Sequence, residues 1–235
     1  MAEKETVTLP RISSGAAFLD DFLGGGYETN IVTTLYGPSG SGKTNLCLLA
    51  AMSVVQQGKK VLFLDTEGGI SVERIAQLCS NKEEILSKIL SKIIFFNSYR
   101  FEDQKEIMTQ LREIVNEHIG LIIVDSISML YRVELGKSGD VYDVNSALGQ
   151  QIAILVEIAR KKHIPVLVTT QVYSDFDNRN TVKMVGGDLL KYGSKCLLEL
   201  QKFNHCWGLI LRKHRSLPEG KECKFKIGQK GIDEG

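Results

Sequence analysis

Residues 37–44 read Gly37-Pro38-Ser39-Gly40-Ser41-Gly42-Lys43-Thr44, a complete G-x-x-x-x-G-K-[ST] phosphate-binding loop. Before it, Ile31-Val32-Thr33-Thr34-Leu35-Tyr36 reads as a strand, and after it Asn45 to Met52 reads as the start of a helix. That strand–loop–helix order is the context the spacing needs. Glycines let successive backbone N–H groups turn inward around an anion, and the helix start adds partial positive charge. Lys43 is then the cation for β- and γ-phosphates, and the Thr44 hydroxyl is a ligand for Mg²⁺. A nucleoside triphosphate is the expected ligand.

The 235 residues suffice for one large domain or two small ones, and 43% hydrophobic with 24% charged residues is an ordinary globular balance. No apolar run approaches the roughly 18 residues of a membrane span, and the mixed polar stretch from Met1 to Leu9 carries no secretory signal. Cys47, Cys79, Cys196, Cys206 and Cys223 are scattered with no C-x-x-C pair, which argues against a metal cluster and suits a reducing compartment. Net charge is only +1, but it is unevenly spread. Residues 181–235 hold 11 Lys/Arg against six Asp/Glu, whereas residues 1–70 hold five against seven. The basic final third can supply phosphate contacts.

A strand-then-helix rhythm runs through the core. Further apolar runs are Lys60–Asp65, Ile93–Asn97, Leu121–Asp125 and Pro165–Thr170, continuous as in strands buried on both faces. Helical spacing links Ile107, Leu111, Ile114 and Val115, and again Ala147, Gln151, Ile154, Leu155 and Ile158. From Lys195 the pattern changes to short runs, Cys196–Leu200, Trp207–Leu211 and Lys224–Ile227, parted by polar turns such as Leu217-Pro218-Glu219-Gly220. The expected fold is α/β, a mainly parallel twisted sheet flanked by helices and closed by an antiparallel meander. Residues 11–235 form one expected domain behind a flexible tail, residues 1–10.

Ligands of open α/β sheets sit beyond the carboxyl ends of the strands. Here those ends read Asp65-Thr66-Glu67-Gly68-Gly69, Asp125-Ser126 and Thr170-Gln171. Asp125 follows four apolar residues and fits the carboxylate that holds Mg²⁺ or its waters. Glu67 is the candidate general base for an attacking water. Asp65 suits support of loop geometry, and the Gln171 amide suits sensing of a γ-phosphate.

The order phosphate loop, Asp65-Thr66-Glu67-Gly68, Leu121–Ser126, Thr169-Thr170-Gln171-Val172 resembles the RecA/RadA recombinase core. So do Ile12-Ser13-Ser14-Gly15, Gly24-Gly25-Gly26 and Val72-Glu73-Arg74-Ile75, and the likeness covers roughly residues 11 to 235. It is strongest toward short archaeal paralogues of that family, with Lys213-His214-Arg215 in support. The resemblance implies a RecA-type NTPase core using ATP and Mg²⁺. Glu67, Lys43 and Gln171 would be catalytic, Thr44 and Asp125 would hold the metal, and Arg74 would lie against adenine. Lys213 and Arg215 would act as cations on a neighbouring subunit's nucleotide. Two mobile DNA segments are implied, about Tyr131 to Asn145 and about Tyr173 to Gly187. Their cations are Arg132, Lys137, Arg179 and Lys183, with Tyr131, Tyr142, Tyr173 and Phe176 available to stack on bases. Residues 131–145 hold two cations against three acids, so this electrostatic footprint is modest.

About ten residues precede the core, and none of the nine phenylalanines is followed by Ala three positions on, the anchor by which filament-forming relatives link subunits. The resemblance therefore implies a cytoplasmic, nucleoid-associated accessory factor of homologous recombination and DNA repair. It would be a weak ATPase, little stimulated by DNA, a monomer or small homo-oligomer that does not perform strand exchange. DNA, a main RadA-type recombinase and a Holliday-junction nuclease are its implied partners, with no membrane. The alternative is a KaiC-like ring ATPase without DNA binding; a small-molecule kinase fits less well.

Overall fold

Apolar runs bounded by turn residues become strands, and the amphipathic stretches between them become helices. The computed structural model describes residues 10–137, 140–174, 182–229 and 231–235. In chain order they form β1 (Arg11–Ile12), α1 (Ala17–Phe22), β2 (Tyr27–Glu28), β3 (Val32–Tyr36), α2 (Lys43–Gln56), β4 (Lys60–Asp65) and α3 (Val72–Leu78). Next come α4 (Glu83–Lys92), β5 (Ile93–Asn97), α5 (Phe101–Ile114), β6 (Ile119–Asp125), α6 (Met129–Lys137), α7 (Val141–Lys162) and β7 (Val166–Thr170). The chain closes with β8 (Val172–Ser174), β9 (Val182–Met184), α8 (Gly187–Gly193), β10 (Cys196–Phe203), β11 (Cys206–His214), β12 (Glu222–Gly228) and β13 (Gly231–Glu234).

One sheet runs β13-β12-β11-β10-β3-β7-β6-β4-β5. From β10 to β5 every pairing is parallel, and β10 to β13 pair antiparallel, so the meander extends the β3 side of the sheet. Alternate side chains divide between two cores. Leu35, Phe63, Leu121, Ile123 and Leu167 pack with Leu46, Ala50 and Val54 of α2. Val32, Leu62, Leu64, Val124 and Val168 pack with Met108, Leu111, Leu148 and Leu155 of α5 and α7. Each fully buried aliphatic or aromatic side chain contributes about 1.5–3 kcal/mol. No described helix is long and apolar enough to cross a membrane.

The first expected mobile segment is largely helical among the described residues. Of residues 131–145, Tyr131 to Lys137 complete α6 and Val141 onward begins α7. The helical arrangement follows from packing: Leu130 and Tyr131 are buried in the α5/α7 core, with Leu135 partly buried against it. Asp140 caps α7, accepting from the N–H groups of Tyr142 at 2.9 Å and Asp143 at 3.1 Å. The second expected DNA segment is framed by the hairpin β8–β9, which leads into α8.

Candidate functional site

The phosphate loop follows β3 and opens α2 with Gly42 in the left-handed region, φ 96°, and no side chain capping the helix. Its first amide groups are therefore left for an external anion. Glycine is required at Gly37 by close approach, since a Cβ there would stand 2.6 Å from the Leu200 carbonyl oxygen, and at Gly42 by its positive φ, with Ile227 packed against the same spot. The meander thus braces the loop from behind. Lys43 Nζ donates to the carbonyls of Gly37 and Pro38, both at 2.9 Å, and burial pushes its pKa down despite the carboxylates of Asp125 and Glu67. The Ser41 hydroxyl is buried without a hydrogen-bond partner.

Across the strand ends, Asp65 and Asp125 are register partners on β4 and β6. Thr44 Oγ1 donates to Asp125 Oδ2 at 2.6 Å, and Thr169 Oγ1 donates to the other carboxylate oxygen. Burial raises the Asp125 pKa, while these two hydroxyls oppose the rise. A hydroxyl and a carboxylate this close are a hard-oxygen donor set suited to Mg²⁺. Asp65 braces the following turn by accepting from Glu67 N at 3.0 Å and Gly68 N at 2.8 Å. Glu67 Oε1 accepts from Ser126 Oγ at 2.7 Å and from Gln171 Nε2 at 3.0 Å. The fold therefore gathers Lys43, Thr44, Glu67, Asp125 and Gln171 at one end of the sheet.

Arg74 lies beside this group under firm restraint. Its guanidinium donates to Asn45 Oδ1 at 2.7 Å, to Gln77 Oε1 at 2.9 Å and to the carbonyls of Gly228 at 3.1 Å and Gln229 at 3.2 Å. Lys213 and Arg215 are elsewhere. His214 pairs in register with Cys196 and Cys196 with Thr33, which puts the tripeptide at the amino end of β3, opposite the phosphate loop. Lys213 Nζ donates to the carbonyls of Lys191 at 2.6 Å and Ser194 at 2.8 Å. Arg215 Nε donates to Glu28 Oε2 at 2.5 Å, a carboxylate with no exposed side-chain surface that Arg11 also pairs at 2.8 Å.

The candidate DNA residues are divided. Arg132 and Lys137 are exposed along α6, and Lys183 is exposed on β9. Arg179 and Phe176 lie outside the described residues. Tyr142 is 79% exposed and Tyr173 47%, but Tyr131 is 7% exposed, packed on Phe101 and bonded to Asn145 at 2.6 Å. Tyr131 is thus a core residue, and its ring is not available to stack on a base. A cleft of about 730 Å³ between β9, α8 and β11 is lined by Tyr173, Lys183, Lys191, Tyr192 and Arg212.

Sequence reading assigned no individual role to Thr169, Ser126 or Asn45, polar residues beside the gathered group. Adjacent threonines ending an otherwise apolar strand were the available signal for Thr169. It also missed a cluster around the buried Glu199 carboxylate next to the loop. There the Glu199 carboxylate accepts from Tyr36 Oη at 3.2 Å, from Gln201 Nε2 at 2.5 Å and from Arg212 Nε at 2.6 Å.

Comparison with known proteins agrees with this architecture. The family model described as Rad51 matches residues 4–235. DNA repair and recombination protein RadB of Methanobrevibacter smithii is 41% identical over 221 residues, 91% of this chain and 92% of the relative. RadB of Methanocaldococcus jannaschii is 38% identical over 217 residues, 92% of this chain and 98% of the relative. A crystal structure of the RadB recombinase superposes with a TM-score of 0.81 at 36% identity, covering 95% of this chain and 99% of the other.

Proposed function

Because this chain belongs to the Rad51 family, we propose that it is an ATP-binding, DNA-associating accessory protein of homologous recombination and DNA repair. One observation carries the reading. An uncapped, glycine-lined helix start stands beside a Thr44–Asp125 pair 2.6 Å apart, with Glu67 and Gln171 bonded to each other at 3.0 Å. Its relatives over more than nine-tenths of the chain are named for DNA repair and recombination.

In this proposal residues Gly37 to Thr44 bind the triphosphate. Lys43 exchanges the Gly37 and Pro38 carbonyls for β- and γ-phosphate oxygens. Thr44 and Asp125 hold Mg²⁺, whose charge offsets that of the phosphates when it is bound. Glu67 orients a water and takes its proton as the oxygen bonds to the γ-phosphorus, and the bond to the β-phosphate oxygen breaks with ADP departing. Gln171 meets a γ-phosphate oxygen, and Arg74 offers its restrained plane to adenine. Lys213 and Arg215 reach a nucleotide only when a neighbouring copy stacks its amino end on this carboxyl end. Slow turnover follows, since a trans cation is worth about 10³–10⁵ in rate in phosphate-loop enzymes. DNA is bound modestly by α6 and the β8–β9 hairpin. A main RadA-type recombinase or a junction nuclease is the protein partner.

The test is ATP binding and turnover by the parent and by Glu67→Gln, with and without oligo(dT). Glu67→Gln is expected to bind ATP while turnover falls by about 10²–10⁴. A glutamine variant that hydrolyses ATP at the parental rate removes Glu67 from the base role. A parent that binds neither ATP nor oligo(dT) overturns the reading.

A further inference from the structure

Asn45 follows Thr44 in the first turn of α2, and its Oδ1 accepts from Arg74 Nε at 2.7 Å. The other acceptors around this guanidinium come from two further places. Gln77 Oε1, one turn along α3, accepts from Nη1 at 2.9 Å. The carbonyls of Gly228 and Gln229, where β12 turns toward β13, accept from Nη2 at 3.1 Å and from Nη1 at 3.2 Å. Four neutral acceptors thus surround a permanent cation whose five N–H donors all lie in its plane.

That rim decides what kind of ligand the group can take. An arginine that forks a phosphate uses two parallel in-plane N–H groups. Here the four contacts leave a single N–H over. The faces of the guanidinium are under no such restriction, and a planar cation stacks well on an aromatic ring. The plane is set from three sides. On α3, Ser71 Oγ accepts from Arg74 N at 3.1 Å, and Ile75 and Leu78 are buried in the core. The turn after β12 is tied to the phosphate loop, because Ile227 packs against Gly42. Asn45 is the third side, and it belongs to the helix that starts at Lys43. The spacing between the phosphate grip and the guanidinium face is therefore carried by one turn of one helix.

We infer that Asn45 is a positioning residue for the nucleobase, holding the Arg74 face at a set place relative to the triphosphate so that base and phosphates are gripped together. The inference rests on the binding of ATP at residues 37–44 and on the contact proposed between Arg74 and the base. Asn45 acts through Arg74 and takes no part in holding the phosphates. Its loss should therefore be felt by a ligand that carries a base and not by one that lacks it.

The experiment titrates Mg²⁺-ATP and Mg²⁺-tripolyphosphate, which has phosphates and no base, into the parent, Asn45→Ala, Asn45→Asp, Arg74→Ala and the Asn45→Ala/Arg74→Ala double variant. The readout is the ratio of the two affinities. Asn45→Ala is expected to weaken ATP about two- to fivefold, the equivalent of one exposed cation–aromatic contact, with tripolyphosphate unchanged. Asn45→Asp keeps the acceptor and adds a negative charge, so both ligands weaken together and the ratio stays at the parental value. Arg74→Ala lowers the ratio at least as far as Asn45→Ala, and Asn45→Ala adds nothing in that background. Should the alanine variant not fold, Asn45→Leu, of similar size and without an acceptor, takes its place. Equal weakening of both ligands by Asn45→Ala, the mark of a distorted loop, overturns the inference. So does an effect that persists without Arg74, or a ratio lost in Asn45→Asp. A parent that binds neither ligand overturns the proposed function itself. A parent that binds ATP with a ratio indifferent to Asn45 overturns the positioning role alone.

Discussion

Lys43 carries two opposed demands, since burial disfavours its charge while the loop needs a cation. Two backbone carbonyls at 2.9 Å hold the ammonium until phosphate replaces them. Lys43→Ala removes a charge-assisted contact of about 1.5–3 kcal/mol, so ATP affinity should fall roughly tenfold to 150-fold. Isothermal titration on the folded variant checks this, and unchanged affinity overturns the loop assignment. His214 presents a different case. Its Nδ1 accepts the N–H groups of Ser216 and Leu217, both at 3.1 Å, which requires that nitrogen to be unprotonated. Burial lowers its pKa, Glu28 opposes the shift, and Arg11 and Arg215 add to it. A depressed histidine pKa means the unfolded chain binds more protons, so stability is present above about 6.5 and is lost as pH falls below it. His214→Asn, which keeps an acceptor without the titration, should flatten the fall in melting temperature between pH 7.5 and 5.5. An unaltered slope there sinks the assignment.

Elements determine which of the candidate cations can reach a nucleic acid. Tyr131 lies inward on α6 while Arg132 and Lys137 face solvent, because the helix buries Leu130 and Tyr131 against α5 and α7. The described parts of the two expected contact segments are therefore the helix α6 and the paired strands β8 and β9. With about three to five phosphate contacts, the log–log salt slope for oligo(dT) binding should lie near −2 to −4. Replacing Lys137 and Arg179 by Ala should flatten it by about 0.7 for each lost contact. Fluorescence anisotropy across a salt series measures the slope. No change in slope moves the nucleic-acid surface to the basic meander.

For the molecule as a whole, the nine-stranded sheet separates two kinds of basic site. The phosphate loop follows the carboxyl end of β3, whereas Arg215 lies beyond its amino end and neutralises buried Glu28. In an isolated copy Arg215 is thus a structural residue. Arg215→Ala leaves Glu28 with Arg11, the Ser216 hydroxyl at 3.0 Å and the more distant His214 ring, and should cost about 1–3 kcal/mol, a few degrees in melting temperature. Turnover per chain at low protein concentration should be unaffected by the same change. At concentrations where copies associate, a trans role would appear as a selective loss of rate, so sedimentation and turnover measured together decide between the two roles. Unchanged stability would show that the remaining partners suffice for Glu28.

Much of this protein was legible before any coordinates. The glycine-lysine-threonine spacing, the five parallel strands from β3 to β7 and the carboxylates that end two of them are contiguous patterns. Local steric and burial rules act on contiguous patterns, so the α/β class and the members Lys43, Thr44, Glu67 and Asp125 followed from them. Other features had no local signature. α6 is helical because distant α5 and α7 cover one of its sides, despite Gly136 and the polar residues after it. Thr169 reaches Asp125 across 44 positions, Glu28 meets Arg215 across 187, and Arg74 is held by carbonyls 154 and 155 positions away. The same residues could face solvent in another packing. Partners so far apart in the chain leave no periodicity to read, and folding alone selects them, by bringing buried charges to groups able to satisfy them.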